Sequence, residues 1–116
     1  MGFFSRLFGT NKKETSLAFK WEMAKKLDGK HLKYVSQRIE KEDGTTEDIV
    51  IGKDGALIVK EDQLLVYASA DVLMRLSVPE MTASELLSGD GVILSGSDIE
   101  HGGKERTVIA YYTYYL

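Results

Sequence analysis

No cysteine occurs among the 116 residues. Disulfides, zinc ribbons, iron–sulfur clusters and thiol nucleophiles are excluded together. A thiol-free chain suits a reducing compartment, and the expectation is a cytoplasmic protein. A single proline is present, so the chain is not collagen-like. No window approaches the roughly 20 apolar residues of a membrane-spanning helix. Residues 1–9 lack the uninterrupted apolar stretch of about 7–15 residues that a signal peptide needs. Gly2 suggests N-myristoylation, but Arg6 stands where that signal requires Ser or Thr. Phosphate loops of the G-x-x-x-x-G-K-S/T type are missing, and no G-x-G-x-x-G opens a helix. Nucleotide enzymes built on those motifs are excluded.

The rest of the composition is that of an ordinary globular domain: 43% hydrophobic, 28% charged and 9% aromatic residues. The length fits one domain with one modest core. The net charge of −3 hides an asymmetry. Residues 1–41 carry ten Lys/Arg against four Asp/Glu, and residues 42–116 carry five against fourteen. A basic arm on an acidic body fits this pattern, as does a basic segment lying across its own acidic domain. With a pI near 5.4 and no nucleic-acid-binding signature, nucleic acid is not an expected partner.

Phe3, Phe4, Leu7 and Phe8 fall at i, i+1, i+4 and i+5, on one helical face. Lys12 and Lys13 follow. An apolar face beside cations is how a peripheral segment rests on anionic lipid. The alternative is packing on the same domain or on a partner subunit. We therefore divide the chain into an amphipathic, basic arm over 1–13 and one globular domain over 14–116.

Residues 15–28 form the expected helix. Phe19, Met23 and Leu27 recur at four-residue spacing, with Leu17, Trp21 and Ala24 widening the apolar arc. Beyond residue 32 the period changes to that of strands. Segment 34–41 also fits a helix, but the hairpin signal Glu42-Asp43-Gly44-Thr45 favours a strand. Lys53-Asp54-Gly55 reads as a second turn. Further turns are expected at Glu61-Asp62, Ala70-Asp71, Ser88-Gly89-Asp90-Gly91 and His101-Gly102-Gly103-Lys104. Pro79 closes a strand over 72–78. Segment 82–87 suits a strand or a short helix, and 105–116 is the final strand.

The fold class is mainly β: an antiparallel meander closing into a small barrel or sandwich, with one N-terminal helix. Its rhythm from Ala56 to Leu94 resembles pleckstrin-homology and GRAM-type rolls. The chain ends in a strand where those folds usually place a helix.

Three features bear on function. Asp98, Glu100 and His101, beside Gly102-Gly103, are ligand types for a metal such as Mn²⁺ or Zn²⁺. In extended backbone Asp98 and Glu100 point to one face and His101 to the other, so only a tight turn brings them together. The plainer reading is a solvated hairpin tip. His31 is the only other histidine. Ser95-Gly96-Ser97-Asp98 is not the G-x-S-x-G elbow of hydrolases. Tyr111, Tyr112, Tyr114 and Tyr115 put aromatic rings on both faces of the last strand, which marks either core or a self-association surface.

The expected function is a non-enzymatic binding or scaffold module. It self-associates and touches an anionic membrane surface through its arm, with no cofactor implied. The alternative is a small metal-dependent enzyme using the Asp98/Glu100/His101 turn.

Overall fold

The computed structural model describes residues 16–113. The amphipathic arm over 1–13 lies outside them. Helix α1 spans Leu17–Leu27. Its N-cap is Ser16, whose side-chain oxygen accepts from the Phe19 N–H at 3.1 Å. Lys25 and Lys26 sit in the last turn, where they complement the helix dipole. Ala24 and Leu27 are buried, and Met23 packs beside them.

Seven strands follow: β1 (His31–Glu40), β2 (Thr46–Lys60), β3 (Gln63–Ala68), β4 (Asp71–Ser77), β5 (Thr82–Glu85), β6 (Gly91–Asp98) and β7 (Lys104–Tyr112). They form one antiparallel sheet in the order β4-β3-β2-β1-β7-β6-β5, curled into a half-barrel. The mainly β barrel-like class expected from the turn spacing is the class observed. Inward-facing Leu57, Leu64, Val66, Met74, Leu76, Leu94 and Val108 fill the interior. Met81, just after Pro79, adds to the same core.

Segments 34–41 and 82–87, each compatible with a helix, are both strands at heart. The segment expected to turn at Lys53-Asp54-Gly55 does not reverse the chain. Strand β2 runs straight through it from Thr46 to Lys60. Thr46 to Ala56 pair with β1, and Gly55 to Lys60 pair with β3. The turn chemistry serves a corner instead. Asp54 takes a left-handed φ of 52°. The Ser69 N–H donates to the Lys53 carbonyl at 2.7 Å, and the Lys53 N–H donates to Ser69 Oγ at 3.0 Å. A Cβ on Gly55 would stand 1.7 Å from the Tyr67 carbonyl oxygen, so the corner needs glycine there.

The final strand lies within the sheet. β7 lies between β1 and β6, paired with β6 from Lys104 and with β1 from Thr107.

Candidate functional site

Curling brings β4, one edge of the sheet, against β6 and the 3-10 turn Ile99–His101. No ladder joins them. Side chains from β6, β7 and the turn bridge the gap, and Asp98 is the hub.

Asp98 is fully buried. Its Oδ1 accepts from the backbone N–H of Arg75 on β4 and from that of Glu100, both at 3.0 Å. Its Oδ2 accepts from His101 Nδ1 at 2.6 Å and from Arg106 Nη1. A carboxylate only accepts, so the His101 Nδ1 carries the hydrogen in this contact. Burial pushes the Asp98 carboxyl up, but the Arg75 N–H, the Arg106 guanidinium, His101 and the Glu100 N–H together hold it below its ordinary value.

Arg106 completes the bridge. Its Nη1 also donates to the Leu73 carbonyl on β4 at 3.0 Å, and its Nη2 to Gln37 Oε1 on β1 at 2.9 Å. Glu100 turns away to pair with Arg75 Nε at 3.1 Å. Thus β4's outward Arg75 N–H and Leu73 C=O, which a neighbouring strand would normally satisfy, are satisfied by the buried Asp98 and the half-buried Arg106.

The 3-10 turn does bring His101 onto Asp98, which extended backbone forbids. It does not bring Glu100 to the same point. Among the described residues, no group of three or more His, Cys, Asp or Glu is placed to hold a metal ion. The acceptors of Asp98 are occupied by protein donors, and the cluster works as a clasp that shuts the barrel.

The sequence reading missed Arg106, Arg75 and Gln37. Arg106 was recoverable: a hairpin turning at Gly102-Gly103 sets Asp98 opposite Lys104, and Arg106, two residues on, shares that face. Arg75 and Gln37 arrive from other parts of the sheet through closure.

Beside the clasp the barrel mouth opens to two adjoining polar clefts of about 340 and 680 Å³. Gln37, Glu105 and Arg106 line both, with His101 and Lys104 on the larger and Arg38 and Glu40 on the smaller. Their charges are mixed, and no single sign dominates.

The tyrosines divide. Tyr112 is buried in the core, with Lys30 Nζ 5.1 Å from its ring centre and its hydroxyl 3.4 Å from Glu85 Oε2. Tyr111 is half-buried on the outer face and stacks on Tyr34, ring centres 4.5 Å apart. Burial raises the Tyr111 phenol above its usual value. Tyr114 and Tyr115 lie outside the described residues. So do Phe3, Phe4, Leu7, Phe8, Lys12 and Lys13. His31 starts β1 and is exposed.

Helix α1 spans the groove between β2 and β5. Lys26 pairs with Glu85 at 2.6 Å, and Lys20 donates to the Pro79 carbonyl at 3.0 Å. The Lys26 ammonium holds the Glu85 carboxyl below its ordinary value. Two large apolar side chains one turn apart on α1 are exposed among the described residues: Leu17 at 55% and Trp21 at 36%. No described helix is long and apolar enough to cross a membrane.

The fold and the clasp define a small antiparallel half-barrel bridged by the buried Asp98 carboxylate and its Arg106 and His101 partners. Compared with known proteins, the chain matches no family model, no curated protein and no solved structure.

Proposed function

We propose that this chain is a non-enzymatic binding module of the cell interior, self-associating, and held against an anionic membrane surface by its N-terminal arm and the start of α1. One observation carries the reading: Leu17 and Trp21 stay exposed on α1, and Phe3, Phe4, Leu7 and Phe8 of the arm precede them in the sequence. Lys12, Lys13, Lys20 and Lys25 stand along the same stretch. Aromatic anchors with flanking cations are the composition that binds the boundary of anionic lipid. In this reading the half-barrel serves as a pleckstrin-homology-like scaffold, with its helix before the strands. The non-enzymatic assignment is supported by the clasp, whose titratable groups are spent on closing the sheet.

Trp21 is the one tryptophan of the chain, so it reports the contact without a label. Titration with phosphatidylserine-containing vesicles is expected to shift its emission to shorter wavelength, and phosphatidylcholine vesicles are expected not to. A Leu17→Ser variant should weaken the response. Unchanged emission with anionic vesicles at any lipid excess would refute the membrane contact.

A further inference from the structure

We infer that the turn between β5 and β6 is a second point of contact with the anionic bilayer. Leu87 enters the headgroup boundary there, and Lys26, Lys30 and Lys33 meet lipid phosphates around it. The inference rests on the membrane contact proposed above and adds a surface to it.

The turn itself does not need a leucine. The Gly89 N–H donates to the Leu86 carbonyl at 2.9 Å, and the Asp90 N–H donates to Ser88 Oγ at 3.3 Å. Gly89 takes a left-handed φ of 80°. Turns of this kind favour Pro, Asp, Asn and Ser in their middle positions. Leu87 stands there fully exposed, the most exposed of the large apolar side chains among the described residues. A lone exposed leucine is ordinary on a protein surface. This one has neighbours that are not.

Three lysines from other elements converge on the β5–β6 hairpin. Lys26 of α1 pairs with Glu85 at 2.6 Å. Lys30, between α1 and β1, lies 5.1 Å from the ring centre of Tyr112, whose hydroxyl is 3.4 Å from the same Glu85. Lys33 of β1 lines a cleft of about 300 Å³ together with Ser88 and Asp90. Lys25 shares the last helical turn with Lys26. Two carboxylates, Glu85 and Asp90, stand among these four ammonium groups and leave a positive surplus. Asp28 turns away to β2, where its Oδ1 accepts from the Val59 N–H at 2.8 Å. Tyr34 and Tyr111, half-buried and stacked, line the same cleft as Lys33.

A leucine at the tip, tyrosines beside it and lysines around it are the side chains that hold the boundary of anionic lipid. A protein partner is a poorer fit. A stable interface buries about 1,200–2,000 Å², and a convex tip with one leucine offers a small part of that. A bilayer accepts a single inserted side chain. The Lys26–Glu85 pair also sets the turn beside α1, the helix on which Leu17 and Trp21 are exposed. One leucine and a small positive surplus hold the chain only weakly by themselves, so the arm remains necessary.

The test uses the full chain and vesicles of mixed phosphatidylserine and phosphatidylcholine. Leu87→Ser should leave the far-ultraviolet circular dichroism and the urea midpoint unchanged. It should weaken co-sedimentation with those vesicles by roughly tenfold, the scale of keeping one leucine side chain in water. Ile99→Ser removes an exposed apolar side chain just past the far end of β6 and should leave binding as it is. A second readout moves the single tryptophan. In Trp21→Phe/Leu87→Trp, emission should shift to shorter wavelength with the same vesicles and be quenched by lipids brominated on the upper acyl chain. Binding that Leu87→Ser leaves intact, or that Ile99→Ser weakens equally, overturns the contact at the turn and leaves that of the arm standing. Unshifted emission in the double variant does the same. A natural chain that fails to bind these vesicles overturns both.

Discussion

Asn in place of Asp98 removes one charge and little volume, and it tests the clasp directly. The carboxylate is fully buried and accepts from Arg75, Glu100, His101 and Arg106. An amide offers one acceptor oxygen, and its NH₂ group faces donors that need acceptors. Removing one partner of a buried ion pair costs about 3–5 kcal/mol, chiefly because the other charge is left buried. Here Arg106 keeps the Leu73 carbonyl and Gln37 as neutral acceptors. The expected loss for Asp98→Asn is therefore near the lower bound, about 3 kcal/mol. At about 4 °C per kcal/mol for a domain of this size, the midpoint of thermal unfolding falls by ~12 °C. Urea unfolding followed by far-ultraviolet circular dichroism measures the loss, with an unchanged m-value showing that the folded state is intact. The double variant Asp98→Asn/Arg106→Gln completes a cycle, and its loss should be smaller than the sum of the single losses. A loss below about 0.5 kcal/mol for Asp98→Asn, the range of ordinary surface substitutions, would refute the clasp.

Two further predictions concern the same fold. The folded state holds the Asp98 carboxyl below its ordinary value, so the unfolded chain takes up the proton first as pH falls. The stabilisation is complete above about pH 4, the ordinary aspartate value, and is lost as pH drops through the lower folded value. Glu85, lowered by Lys26, acts in the same direction. Urea midpoints measured from pH 7 down to pH 2 should fall below pH 4, and more steeply for the natural chain than for Asp98→Asn. At the corner of β2, Gly55→Ala would force a Cβ to within 1.7 Å of the Tyr67 carbonyl. Relief requires backbone movement, and the expected cost is about 3 kcal/mol, read by the same urea titration. A neutral Gly55→Ala would show that the corner is not held by close approach.

The alternation of turn chemistry and β-forming runs carried the fold class, since turns at Glu42-Asp43-Gly44, Glu61-Asp62 and Ser88 to Gly91 are local signals. Lys53-Asp54-Gly55 misled because Gly and Asp serve a strand corner as well as a hairpin. Which use applies depends on Ser69 and Tyr67, more than ten residues away in sequence. The helix was legible from its apolar spacing, yet Leu17 and Trp21 belong to that spacing and remain exposed. Periodicity marks the apolar face without saying how much of it is covered. Asp98, Glu100 and His101 were singled out by residue type. Their task, closing the sheet against β4, follows from curvature that no local pattern encodes. Placing β7 in the interior likewise required the strand order β1-β7-β6.

The membrane contact is the central functional claim, and co-sedimentation tests it most directly. The full chain and a chain beginning at Glu14 are each mixed with anionic and with neutral vesicles at low and high salt. The full chain is expected to pellet with anionic vesicles alone, less so in high salt, and the shortened chain to stay in solution. Equal recovery of the full chain with and without anionic vesicles would contradict it.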